Sequence, residues 1–173
     1  MNDPVMNDPG VIELLERLRS RFYGKYRGSC TAVDPDTLRI KAKVPAVLAD
    51  QETGWCVPCL PYAGDQVGLA FLPEAGSGVW IEFEGGDVSY PIWTGCYWRA
   101  GEKPSRAGPT VKVIITKQYQ FILDDDTPTA TLADSDNTIT LDGSGVTLSR
   151  GAISVAVGDE KVSVNDDAFE VTA

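Results

Sequence analysis

Beyond residue 110 apolar residues come in pairs two positions apart, and the pairs recur: Ala130/Leu132, Ile139/Leu141, Val146/Leu148, Ile153/Val155, Val162/Val164 and Phe169/Val171. Their first members lie 9, 7, 7, 9 and 7 residues apart, and turn-forming runs such as DSDN, DGSG, GDE and NDD fill the gaps. Positions two apart share one face of a strand. The pattern therefore predicts a run of very short strands, each showing two aliphatic side chains to the same side. A short, nearly fixed period signals units that stack on their neighbours. Ordering one residue costs about 1.5 kcal/mol, so two buried aliphatics do not carry a lone rung. Each rung must gain contacts along the stack and from other copies. Three chains about one axis, each forming a wall of a triangular prism, would turn every apolar face inward. The sequence thus predicts a homotrimer over 111–173, with all the paired residues except Ala130 as its core.

Residues 26–98 follow a different plan. Tyr26 to Val33 reads as a strand closed by an Asp34-Pro35-Asp36 turn. A second runs from Leu38 to Val44, where Leu38, Ile40, Ala42 and Val44 alternate with Arg39, Lys41 and Lys43. Asp50 to Gly54 reads as a loop, and Trp55 to Leu60 continues the sheet. Val67, Leu69 and Phe71 alternate with Gly68 and Ala70, Val79 to Glu84 resumes the alternation, and Tyr90 to Trp98 is an aromatic strand. About five short strands in roughly 70 residues suit a Greek-key barrel of the oligonucleotide/oligosaccharide-binding (OB) type. In residues 99–110, Gly, Pro, Ser and charge replace the alternation, which marks a linker.

The first 25 residues open with MNDP, repeated at 6–9. Asp8 before Pro9 supplies an N-cap and a first-turn proline. Val11, Leu14, Leu15, Leu18 and Phe22 then form one helical stripe, Glu13 and Arg17 pair four apart, and Gly24 ends the helix. The stripe either lids its own barrel or docks on a neighbouring subunit or hub. The predicted fold is mainly β: an arm and amphipathic helix over 1–25, a barrel over 26–98, a linker over 99–110 and a trimeric, intertwined β-helical needle over 111–173.

The segment from Leu72 to Trp98, LPEAGSGVWIEFEGGDVSYPIWTGCYW, resembles the OB barrel of contractile-tail spike proteins. That family covers phage baseplate assembly protein V, the VgrG spikes of type VI secretion and the spikes of extracellular contractile injection systems. The likeness extends back through Tyr26-Arg27-Gly28, Leu38 to Pro45 and Gly54 to Gly64. Residues 111–149 also resemble the spike segment that follows this barrel, except that the family's usual glycine near Gln118 is absent. The resemblance implies a virion or injection-particle structural protein: a trimeric needle joined to a baseplate hub at its barrel end. It also implies a PAAR-like cone on its tip, and a needle that punctures the target envelope mechanically.

Composition narrows the chemistry. The net charge is −10, carried mostly by residues 111–173 with four basic and eleven acidic side chains. Such a balance opposes a sequence-independent grip on phosphates. The alternative reading, a nucleic-acid-binding OB module stacking bases on Trp80, Trp93 and Trp98, has only Arg39, Lys41 and Lys43 as a basic strip. No apolar run approaches the roughly 20 residues that span a bilayer. The N-terminal stretch has neither a basic region nor an apolar core, so synthesis in the cytoplasm without a signal peptide is expected. Trp55-Cys56-Val57-Pro58-Cys59 has the spacing of a thioredoxin site, but Pro61 and Gly64 forbid the helix that site needs. On a strand the two thiols face opposite ways. With Cys30 and Cys96 they read as reduced structural cysteines. With no histidine, a zinc site is poorly supplied and the usual general base is missing. Asp124-Asp125-Asp126 reads as an acidic turn. No catalytic, cofactor or metal residue is predicted, and the chain is not expected to be an enzyme.

Overall fold

The computed structural model describes residues 8–166 and 168–172, without the side chain of Arg17. The first MNDP copy and the Glu13–Arg17 pair lie outside the described residues. The chain divides into two compact units, Met1–Glu102 and Lys103–Ala173.

In the first unit, helix α1 spans Pro9–Arg19, and the Asp8 carboxylate accepts the Gly10 N–H at 2.8 Å as its cap. The helix stops five residues short of Gly24, and Phe22 leaves the expected stripe. The Phe22 N–H donates to the Gly86 carbonyl at 2.8 Å, and its ring meets Tyr26 and Phe83 edge-on at 6.2 and 6.4 Å. Aromatic burial against the barrel outweighs one more helical turn. Gly86 makes this approach possible: it sits at φ +76, and a Cβ there would lie 3.0 Å from the Phe22 nitrogen.

Seven strands and a short helix follow: β1 (Tyr26–Val33), β2 (Ile40–Lys43), α2 (Pro45–Leu48), β3 (Val57–Pro58), β4 (Tyr62–Gly64), β5 (Val67–Leu69), β6 (Gly78–Phe83) and β7 (Pro91–Tyr97). Five of the strands form one sheet in the order β2-β1-β6-β7-β3, with β3 parallel to β7. An Ile40–Cys56 bridge returns the end of that order to β2, which closes an OB-like barrel. Cys30, Ile40, Ala42, Val44, Cys56, Val79, Ile81, Phe83 and Trp93 fill it. The period-two alternation sends Ile40 and Ala42 inward while Lys43 stays exposed. The second strand starts at Ile40 rather than Leu38, because Leu38 adopts φ +56 and cannot join a ladder. Val67–Leu69 is a strand as expected, but it pairs with Tyr62–Gly64 in a separate two-stranded hairpin outside the barrel sheet. The linker splits between the units. Arg99 is bound into the barrel by the Gly76 carbonyl at 2.8 Å and Ser29 Oγ at 2.5 Å, whereas Thr110 bonds Asp126 in the second unit.

The second unit is a single eight-stranded antiparallel sheet: β8 (Val111–Ile115), β9 (Gln120–Asp124), β10 (Thr129–Ala133), β11 (Asn137–Asp142), β12 (Gly145–Arg150), β13 (Ile153–Val157), β14 (Lys161–Val164) and β15 (Phe169–Thr172). Each strand pairs only with its sequence neighbours, so the chain doubles back at every turn. The ladder hydrogen bonds lie within one chain. Near Gln118, Thr116 makes the turn: its hydroxyl accepts the Tyr119 N–H at 2.9 Å and its own N–H reaches the Tyr119 carbonyl at 2.8 Å.

Candidate interaction surfaces

Register decides what each face of the meander shows. Directly opposed positions give one row running Ile114, Phe121, Leu132, Ile139, Leu148, Val155, Val164, Phe169. Beside it runs a second: Leu123, Ala130, Leu141, Val146, Val157, Val162, Val171. These rows hold every residue of the predicted trimer core except Ile153. Ile153 lies on the same face, two residues before Val155, but opposite Arg150 at the side of the two rows, and Val157 joins the second row. Ile114, Phe121 and Leu123 also join the face, ahead of the first recognised pair.

This face is open. Leu148 is 52% exposed and Phe169 65%. The opposite face carries Thr131, Thr140, Thr147, Ala156 and Ser163 in register, with Ile122 buried near its start. One side of the sheet is aliphatic and the other is mostly hydroxylic. An exposed apolar strip of this length marks an interaction surface.

Carboxylates hold the turns between these strands. Asp124 Oδ1 accepts from the Asp126 and Thr127 N–H groups at 2.9 and 3.2 Å, Asp134 Oδ1 from Asp136 and Asn137 at 2.8 Å each, and Asp142 Oδ1 from Ser144 N–H at 2.8 Å. Hydrogen bonds to the ionised form keep all three below the usual carboxylate range, chiefly from the Thr127 and Asp136 amides and the Ser144 hydroxyl respectively. Asp124-Asp125-Asp126 is thus an acidic turn in which Lys112 pairs with Asp125.

In the barrel unit, Cys56 is buried beneath Thr53, 3.2 Å from its hydroxyl, while Cys59 is exposed. All four thiols are free. Burial pushes the Cys30, Cys56 and Cys96 thiols above their ordinary range, the opposite of an activated nucleophile. Among the described residues, no group of three potential ligand side chains gathers as a metal site. On α1, Leu14 and Leu18 are 57% and 56% exposed and Leu15 is less so, whereas Val11 is half-buried and Phe22 lies under the barrel. On the outer surface a cleft of about 520 Å³ opens between Trp55, Val57, Cys59, Tyr90 and Ile92. Arg39 and Glu84 also line it, and Lys41 sits 5.1 Å over the Trp55 ring.

The OB-like topology agrees with a comparison with known families. Residues 26–98 match the family model described as the type VI secretion system/phage-baseplate injector OB domain. No curated protein matches the chain. Over residues 26–98 the chain is therefore similar to the OB domain of type VI secretion and phage-baseplate injectors.

Proposed function

We propose that the protein is the central spike of a contractile tail or extracellular injection machine, incorporated into its baseplate as a homotrimer. The observation that carries this reading is the meander: a single-layer sheet with two long aliphatic rows on one face, most of whose side chains are left exposed among the described residues. Three such sheets, aliphatic faces inward, would form a closed triangular prism with the hydroxylic faces outside. The trimer core is Leu132, Ile139, Leu141, Val146, Leu148, Ile153, Val155, Val162, Val164, Phe169 and Val171, joined by Val157. Copies in this prism are joined by side-chain packing, with backbone ladders kept inside each chain. The exposed leucines of α1 serve the hub, and the free edge at β15 receives a PAAR-like tip protein. The spike then acts as a stiff needle driven briefly against the target envelope. No bond is made or broken, and no cofactor is required.

Light scattering on the purified full chain tests this directly. The expected mass is that of three 18.6 kDa chains. Leu148→Glu, in the aliphatic row, should abolish the trimer, whereas Thr147→Glu, on the other face, should leave it assembled. A folded single chain with an ordered meander would end the spike reading. Failure of the trimer to bind PAAR-like proteins encoded beside it would remove the tip assignment alone.

A further inference from the structure

The β4–β5 hairpin has no place in its own barrel. Every residue from Pro61 to Phe71 is exposed, including Tyr62 at 58%, Val67 at 50%, Leu69 at 47% and Phe71 at 56%. Tyr62 faces Leu69 and Gly64 faces Val67, so the large side chains of the ribbon share one side. A two-stranded ribbon alone is marginal in water. This one is nonetheless fixed at both roots, because Leu60 and Leu72 pack on the barrel core. It is an anchored, apolar arm.

The same barrel offers a second apolar patch, the cleft between Trp55 and Tyr90, and none of the arm's residues lines it. We infer that the arm of each copy seats in the Trp55–Tyr90 cleft of the next copy's barrel. The inference rests on the trimer reading above and adds to it a second contact between copies. A three-fold ring needs a heterologous joint, with two different and complementary patches on each copy. The barrel unit carries such a pair. Charge does not oppose the contact. Asp65 is the only charged residue between Pro61 and Leu72 and lies at the arm's tip. The cleft has Arg39 in its wall and Lys41 over Trp55, set against Glu84, with Asp34 beside Arg39. Two cations balanced by two carboxylates line this region, so the single anionic tip finds Arg39 and Lys41 as partners without a net charge against it. A partner arm would also cover Val57 and the Cys59 thiol.

Cys59 makes the test direct. In full-length protein carrying Cys96→Ser, a cysteine is placed on the arm by Leu69→Cys, or by Val67→Cys in a second variant. The sample is then treated with a short bismaleimide. The expected result is covalent dimer and trimer on a denaturing gel, lost when Cys59→Ser is added. A threefold mass by light scattering with no covalent ladder from either variant would overturn the arm's placement and leave the trimer standing. A ladder that survives loss of Cys59 would show arm meeting arm and also overturn it. A single-chain mass would take down both the trimer reading and this joint.

Discussion

Gly145 begins β12 at φ +128, and a Cβ built there would sit 2.0 Å from the Val157 carbonyl oxygen. No side chain fits without separating β12 from β13. Gly145→Ala should lower unfolding stability by about 2 kcal/mol or more. Gly143→Ala in the same turn meets nothing within 4 Å and should be near neutral, and thermal melts of the two variants separate the cases. The turn aspartates set the acid limit of the meander. Asp124, Asp134 and Asp142 have folded pKa values below the unfolded carboxylate value of about 4. Their contribution is therefore present above that value and lost as pH falls through the folded ones. An acid titration followed by circular dichroism should show loss of strand signal below about pH 4. Asp134→Asn should shift that loss least if the other two turns dominate, and most if this turn nucleates it.

At the scale of elements, the pairing of strands explains which features could be read in advance. In the barrel, alternation placed Ile40, Ala42, Val79 and Ile81 correctly, because a half-buried strand must show one side to a core. The same alternation at Val67, Leu69 and Phe71 was ambiguous. Period two says that one face seeks cover, but not whether the cover lies in the same chain. The helix stripe erred at Phe22 for a related reason: helical spacing cannot register an aromatic contact some sixty residues away. In the second unit the aliphatic pairs stood out, but which residues oppose one another depended on turn lengths that composition does not encode, so Val157 joined the second row unannounced and Ile153 came to face Arg150. The Thr116 turn was likewise invisible, since a hydroxyl that closes a turn looks like an ordinary polar residue. Removing that hydroxyl tests the element: Thr116→Val should weaken the β8–β9 hairpin by about 1 kcal/mol. Faster amide exchange across residues 111–124 would report it.

For the whole molecule, a stability that comes partly from association must depend on concentration. The melting temperature of the meander should rise steeply with protein concentration, while that of a fragment spanning residues 1–102, whose core is complete within the unit and whose copies meet only through the arm, should rise much less. Calorimetry across a hundredfold range of concentration would distinguish the two. A fragment whose transition moves as steeply with concentration would show that the barrel, too, relies on other copies.

The sequence-neighbour pairing of β8 through β15 has a further consequence, which concerns manufacture. Each hairpin closes over only a few residues, so the sheet can form on a nascent polypeptide before sister chains arrive. In the trimer proposed above, joining would then be a collision of finished plates, with no threading or mutual winding. Such a particle holds its members by reversible contact alone. Differently tagged batches, once mixed, should trade members without passing through denaturation, as an entangled fibre could not.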